Sequence, residues 1–466
     1  MAERKDAQRL LDALPPHDGK ALEELGHFHD SVSLAAGFKP EERAARVAML
    51  EEAAQPRLKK IAREYFAAVR GARASKAQEN VFWSRMHEYW REAAQAWVRC
   101  ADEKPANASV LGALRALGQQ IKWQQLRYGP INLEVWGLAN RMYAAAEARG
   151  MAEAKPEYLK VAMFAASAPD SLAAHELELA ERLISDWAGS FELSSSASPS
   201  LTYWIYLAEP MAPARGARVP QPAASLRYFG AGAALATLQT LIKRTEAQRA
   251  VPSDLKLGPE YDTEVVLGVM RHLALQWGPG APERKHKRVG MDTKLKVAHG
   301  FDGVLGALGG LDDSLDFGTP SEVETWTVEN VSAGGFGARA PQAKSDWVKV
   351  GALVAAQPDN TGTWLIGTVR RVNKVSSQEV RIGVETLART AAISQFALPN
   401  ATMAPGVVMP TPTGEAAIAL RAGTYVPGAN LEASVSGRQH VYMPQGVAER
   451  GDDYEIVRFR QMVRET

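Results

Sequence analysis

The hydrophobic period of this chain changes once, at Gly278-Pro279-Gly280. Before that breaker, apolar residues recur at three- and four-residue spacing over Lys20–Leu34, Pro40–Arg70, Lys76–Asp102 and Glu134–Arg149. That spacing places one apolar stripe on a helix and predicts helices there. Ser75 stands where an N-cap is needed, and Pro40-Glu41-Glu42 suits a first turn. Further helices are expected over Ser171–Trp187, Ala224–Arg249 and Tyr261–Trp277. After the breaker come short β-like runs: TKLKVA, ETWTVENV, DWVKVGALVAA, TWLIGTVRRV and EVRIGVETL, with a hairpin signal at Pro358–Gly362. GEAAIAL, NLEASVSG, QHVYMP and YEIVRFRQ follow over 414–461. Short strands at close spacing mean small barrels or sandwiches.

The expected fold class is therefore multidomain α+β. An all-α region, 1–277, precedes an antiparallel β-barrel with an N-terminal basic arm, 278–395, and a smaller C-terminal β unit, 405–466. A Pro/Ala-rich stretch near 210–225 reads as a flexible joint within the helical region. The segment 300–322, GFDGVLGALGGLDDSLDFGTPSE, reads as a loop insertion between strands.

Composition narrows the function. The 466 residues carry 54 Lys+Arg against 53 Asp+Glu, a balance that excludes a surface coated with nucleic acid. No run of 18 apolar residues occurs, so no membrane span is expected. The start, MAERKDAQRLLDALPP, has no secretory apolar core. The single Cys100 cannot form an internal disulfide, which suits a reducing compartment, and a cytoplasmic location is expected. The chain has no Gly-rich phosphate loop ending in Lys-Ser/Thr, no HExxH and no G-x-S-x-G, so no catalytic constellation and no enzyme is expected. His27-Phe28-His29 lacks the neighbours of a metal site, so no metal and no cofactor is expected. The Trp83, Trp90, Trp97 stripe with Met86 reads as a helix–helix seam.

Against that neutral background, five basic residues stand together in Arg284-Lys-His-Lys-Arg288. They follow the helix break and form an R-x-x-x-R element. If the arm is extended, its two arginines lie about 13 Å apart, at four steps of about 3.3 Å. If it is helical they lie about 6 Å apart on one face. The breaker favours the extended arm. Downstream, Asn330-Val331-Ser332-Ala333-Gly334-Gly335 forms an N-x-S-x-x-G element between β runs. On a strand Asn330 and Ser332 share one face, and both can hydrogen-bond a base edge or the backbone. Gly335 with Gly334 permits positive φ or a close backbone approach. Arginine forks suit phosphate oxygens and the guanine O6/N7 edge. No recognition helix or RNP-like strand accompanies the cluster, so DNA and RNA are not expected partners.

The two elements, in this order on this strand pattern, resemble the PilZ domain, the bacterial receptor module for cyclic di-GMP. The resemblance covers roughly residues 284–390, with Gly383 at the glycine of the "iGv" strand. It implies cyclic di-GMP as ligand, bound by Arg284, Arg288, Asn330, Ser332 and Gly335. The stretch from PPHDGK to REYF is similar to the N-terminal part of a poorly characterised family of large PilZ-containing bacterial proteins. The expected function is a non-enzymatic receptor that passes the signal through its helical region to an unidentified protein partner. The alternative is a scaffold whose barrel binds no nucleotide.

Overall fold

In the computed structural model the described residues are 4–70, 75–215, 220–258, 261–280, 286–309, 323–341, 347–359, 361–376, 378–399, 402–411, 415–435 and 438–463. The chain divides into two compact units, Met1–Glu283 and Arg284–Thr466. No helix among the described residues is long and apolar enough to cross a membrane.

The first unit begins with α1 (Arg4–Asp12), α2 (Asp18–Leu34), α3 (Pro40–Arg70), α4 (Lys76–Glu103), α5 (Asn107–Gln125), α6 (Leu133–Glu147), α7 (Ala154–Ala165) and α8 (Ala174–Asp186). The caps are side chains that accept orphan N–H groups. Ser75 takes Gln78 N–H, and Asn132 takes those of Glu134 and Val135. The tryptophan stripe is a seam, as expected: Trp90 and Trp97 are buried, and Trp97 donates to Glu51 at 2.7 Å. Its ring occupies the space a side chain on Gly112 would need, at 2.5 Å. His29 is fully buried against Tyr89, at 3.3 Å. Burial pushes the Cys100 thiol up to about 12, leaving no reactive thiolate near neutral pH.

The helical region also carries a small antiparallel sheet in the order β1 (Glu192–Ser194), β3 (Leu226–Gly230), β2 (Tyr203–Tyr206). The helix expected over 224–249 is therefore shorter, α9 (Ala233–Gln248). Leu226–Gly230 pairs on both sides instead, with Tyr203 stacked on Phe229. The last helix, α10 (Thr263–Trp277), is capped by Asp262 and ends at Gly278. One core runs from Leu22 to Trp277. In the Pro/Ala-rich stretch, Ala214 pairs with Trp204 and Arg215 reaches the Gly278 carbonyl at 2.8 Å; residues 216–219 lie outside the described residues.

The second unit is two closed six-stranded antiparallel barrels. The first contains β4 (Val289–His299), β5 (Glu324–Ser332), β6 (Gly335–Pro341), β7 (Leu353–Pro358), β8 (Leu365–Lys374) and β9 (Glu379–Ala388). Its order is β4-β5-β6-β9-β8-β7. The second contains β10 (Ala392–Ala397), β11 (Met403–Pro410), β12 (Glu415–Arg421), β13 (Leu431–Val435), β14 (Arg438–Arg450) and β15 (Tyr454–Val463), in the order β10-β11-β12-β15-β14-β13. The two orders are the same when each is counted from its own first strand. The C-terminal unit is thus a full barrel of the same topology as the first.

Residues 300–309, expected as loop, form α11 (Gly300–Gly309). Phe301, Val304 and Leu305 fall on one helical face and are buried. They join residues of both barrels, among them Leu353, Ile366, Val407 and Ile456, in one shared core. The remainder of the expected insertion, 310–322, lies outside the described residues.

Candidate functional site

The β5–β6 hairpin carries the N-x-S-x-x-G element. Asn330 and Ser332 end β5, Ala333-Gly334 turns the chain, and Gly335 opens β6. Val328, Phe336, Ala338, Ile382 and Val384 are buried inside the barrel, so the residues alternating with them face outward. One outward row crosses five strands: Gly290, Asn330, Gly337, Gly383 and Arg371, each paired with the next. Asn330 leans over Gly337, where a methyl would lie 2.9 Å from its Nδ2. Its Oδ1 is buried without a hydrogen-bond partner among the described residues. Buried acceptors are seldom left in this state.

Ser332 Oγ donates to the Gly335 carbonyl at 3.1 Å, closing the turn. Gly335 has φ +155, and a methyl there would lie 2.0 Å from the Val384 carbonyl oxygen. Only glycine lets β9 run this close. Thr386 N–H also donates to the Gly334 carbonyl at 3.0 Å, so the hairpin is stitched to β9.

The basic arm arrives at the same edge. Val289 pairs with Val331 and Gly290 with Asn330, so Arg288 stands at the register position of Ser332. Arg288 and Lys287 are exposed, and neither makes an ion pair among the described residues. The His286 ring lies over the turn, 3.0 Å from the position of a methyl on Gly334. Arg284 lies outside the described residues. The fold thus gathers Arg288, Asn330, Ser332 and Gly335 at one edge of the first barrel.

The neighbouring outward row is charge-balanced. Glu329 meets Arg339 at 3.1 Å and Arg381 at 3.5 Å, and both arginines also approach Glu379. No cluster of His, Cys, Asp or Glu among the described residues has the geometry to hold a metal ion. The glycine floor of Gly337 and Gly383, and Arg371 beyond it, were not singled out as a unit in the sequence, although a glycine at the same outward position of two strands was there to be read.

Two family models match the chain. Residues 5–199 match the family model described as "Cyclic-di-GMP receptor FimW, N-terminal domain". Residues 319–392 match "Cyclic-di-GMP receptor FimW, middle PilZ domain". No curated protein matches the sequence closely enough to count as a relative. The crystal structure of the Borreliella burgdorferi PlzA protein in complex with c-di-GMP is similar at 8% identity, over 39% of this chain and 89% of that one. Its TM-score of 0.15 is too low to align any residue of the site. The two family matches follow one another in the family's own domain order and together span more than half of the sequence, and so the chain belongs to the cyclic-di-GMP receptor FimW family and carries its PilZ domain.

Proposed function

We propose that this chain is a non-enzymatic cytoplasmic receptor that binds cyclic di-GMP on the outward face of the first barrel and relays the signal to a protein partner through its helical region. The observation that carries the reading is that the strand entered from Arg288 pairs with the end of β5 that holds Asn330, whose Oδ1 is buried with no hydrogen-bond partner among the described residues. A cyclic dinucleotide offers two phosphates, which meet the basic run of Arg284 to Arg288, and guanine N–H groups, which meet Asn330. Ser332 and Gly335 act by building the turn that places Asn330, rather than by reaching outward. The ligand also neutralises four adjacent like charges, which otherwise repel one another.

The ion pairs beside Asn330 support the non-enzymatic reading. Phosphodiester hydrolysis needs an activated water or hydroxyl. Two carboxylates on this face, Glu329 and Glu379, are tied to Arg339 and Arg381. Hydrogen exchange tests both halves of the proposal. Ligand is expected to protect amides in 286–290 and 330–337, and, if the signal reaches the helical region, to change exchange over 261–278. Protection at the barrel alone leaves a receptor without this relay. No protection at either place removes the receptor reading and leaves a scaffold.

A further inference from the structure

We infer that Arg371 forms the far wall of the nucleotide site and reads the guanine. The inference rests on cyclic di-GMP binding at this barrel and goes beyond the arm and the hairpin motif. The outward row Asn330, Gly337, Gly383, Arg371 spans three strand spacings, about 14 Å at about 4.8 Å each. Its two middle positions have no side chain, so the floor between its ends is bare backbone. Asn330 leans over that floor, and Arg371 borders it. A methyl on Gly337 would meet the Asn330 carboxamide at 2.9 Å, and one on Gly383 would meet the Arg371 Cβ at 3.2 Å.

Between the two ends lies a slot with no side chain rising from its floor, bounded by the Asn330 carboxamide on one side and by Arg371 on the other. Guanine fits that polarity. Its N1–H and N2–H edge donates, matching Asn330 Oδ1, and its O6/N7 edge accepts, matching an arginine fork. Adenine presents no N1–H and no O6, so the same two walls discriminate against it. Arg371 is exposed on this outward row, where a ligand on the barrel face can reach it. The adjoining row carries Arg339 and Arg381 on β6 and β9, where this row has glycine, and so supplies no comparable slot.

The test is calorimetric titration of the full chain with cyclic di-GMP and cyclic di-AMP. The proteins are wild type, Arg371→Ala, Arg371→Lys, Gly383→Val and Arg288→Ala. Melting curves establish that each variant is folded. Arg371→Ala is expected to weaken cyclic di-GMP about tenfold or more and to shrink the preference over cyclic di-AMP. Arg371→Lys keeps the charge and loses the fork, so it too is expected to lose discrimination. Gly383→Val fills the slot and is expected to weaken binding without altering any charge. Affinity and preference within about twofold of wild type in both Arg371 variants, with Arg288→Ala impaired, overturns this inference and leaves the receptor reading intact. A wild type that binds neither nucleotide overturns both.

Discussion

Arg370 of the first barrel forks onto Glu449 of the second. Its Nη1 and Nη2 donate to Oε1 and Oε2 at 3.1 and 2.6 Å, while its Nε holds Glu385 at 2.7 Å. Glu385 stands opposite Gly335 in the β6–β9 register, and the Tyr454 hydroxyl lies 2.7 Å from Glu449 and 3.0 Å from the Gly351 carbonyl. One guanidinium therefore joins the strand behind the candidate site to the second barrel. The carboxylates hold it charged even more firmly than usual, against the cost of its burial.

Arg370→Ala leaves two carboxylates unpaired at the barrel junction. We expect the β unit to lose about 1–3 kcal/mol in denaturant unfolding, with Arg370→Lys recovering part of it. We also expect ligand to slow amide exchange in β14 around Glu449 in wild type and not in Arg370→Ala. Equal slowing in both proteins removes Arg370 from the coupling.

Gly335→Ala meets two obstacles at once, a backbone oxygen 2.0 Å away and φ +155. The expected cost is about 2–4 kcal/mol, with loss of nucleotide binding because the Ser332 turn and Asn330 move together. A variant with wild-type melting and wild-type affinity contradicts the account of the hairpin.

His29 is buried, and burial pushes it down from its ordinary 6.5 to about 3. As pH falls through 6.5 the unfolded chain takes up a proton that the folded chain refuses. This contribution therefore falls between about pH 6.5 and 3, by up to about 1.4 kcal/mol per unit. Burial raises the carboxyls of Glu51 and Glu92, which titrate with the opposite sign, so the readout is a difference. His29→Phe is expected to flatten the wild-type pH slope of urea stability in this window. An unchanged slope contradicts the assignment.

Much of this was legible in the residues. The helices over 40–70 and 76–103 carry apolar stripes and caps within their own sequence, and the R-x-x-x-R and N-x-S-x-x-G elements are local. What was not legible is non-local. Strand β6, GFGARAP, has neither β-branched residues nor polar alternation, and it exists because β5 and β9 pair with it on both sides. Helix α11 is glycine-rich and becomes a helix by burying Phe301, Val304 and Leu305 between barrels. The row that brings Arg371 into line with Asn330 depends on register shifts between Val328 and Asn330 and between Val369 and Arg371, which no single strand announces.

Long incubation of the protein with cyclic di-GMP, followed by chromatography, is expected to return the nucleotide intact. Glu329 and Glu379, the carboxylates of the row beside Asn330, are engaged by Arg339 and Arg381. A linear product that disappears in Arg288→Ala or Asn330→Ala contradicts the non-enzymatic reading.

The most direct measurement is calorimetric titration of the full chain with cyclic di-GMP, with GTP and cyclic GMP as controls. The account predicts saturable binding at micromolar ligand or below, no binding of the controls, and a loss of about tenfold or more in Arg288→Ala and in Asn330→Ala. No measurable heat from wild type at these concentrations, confirmed by an independent binding assay, would contradict it, as would equal affinity in both variants.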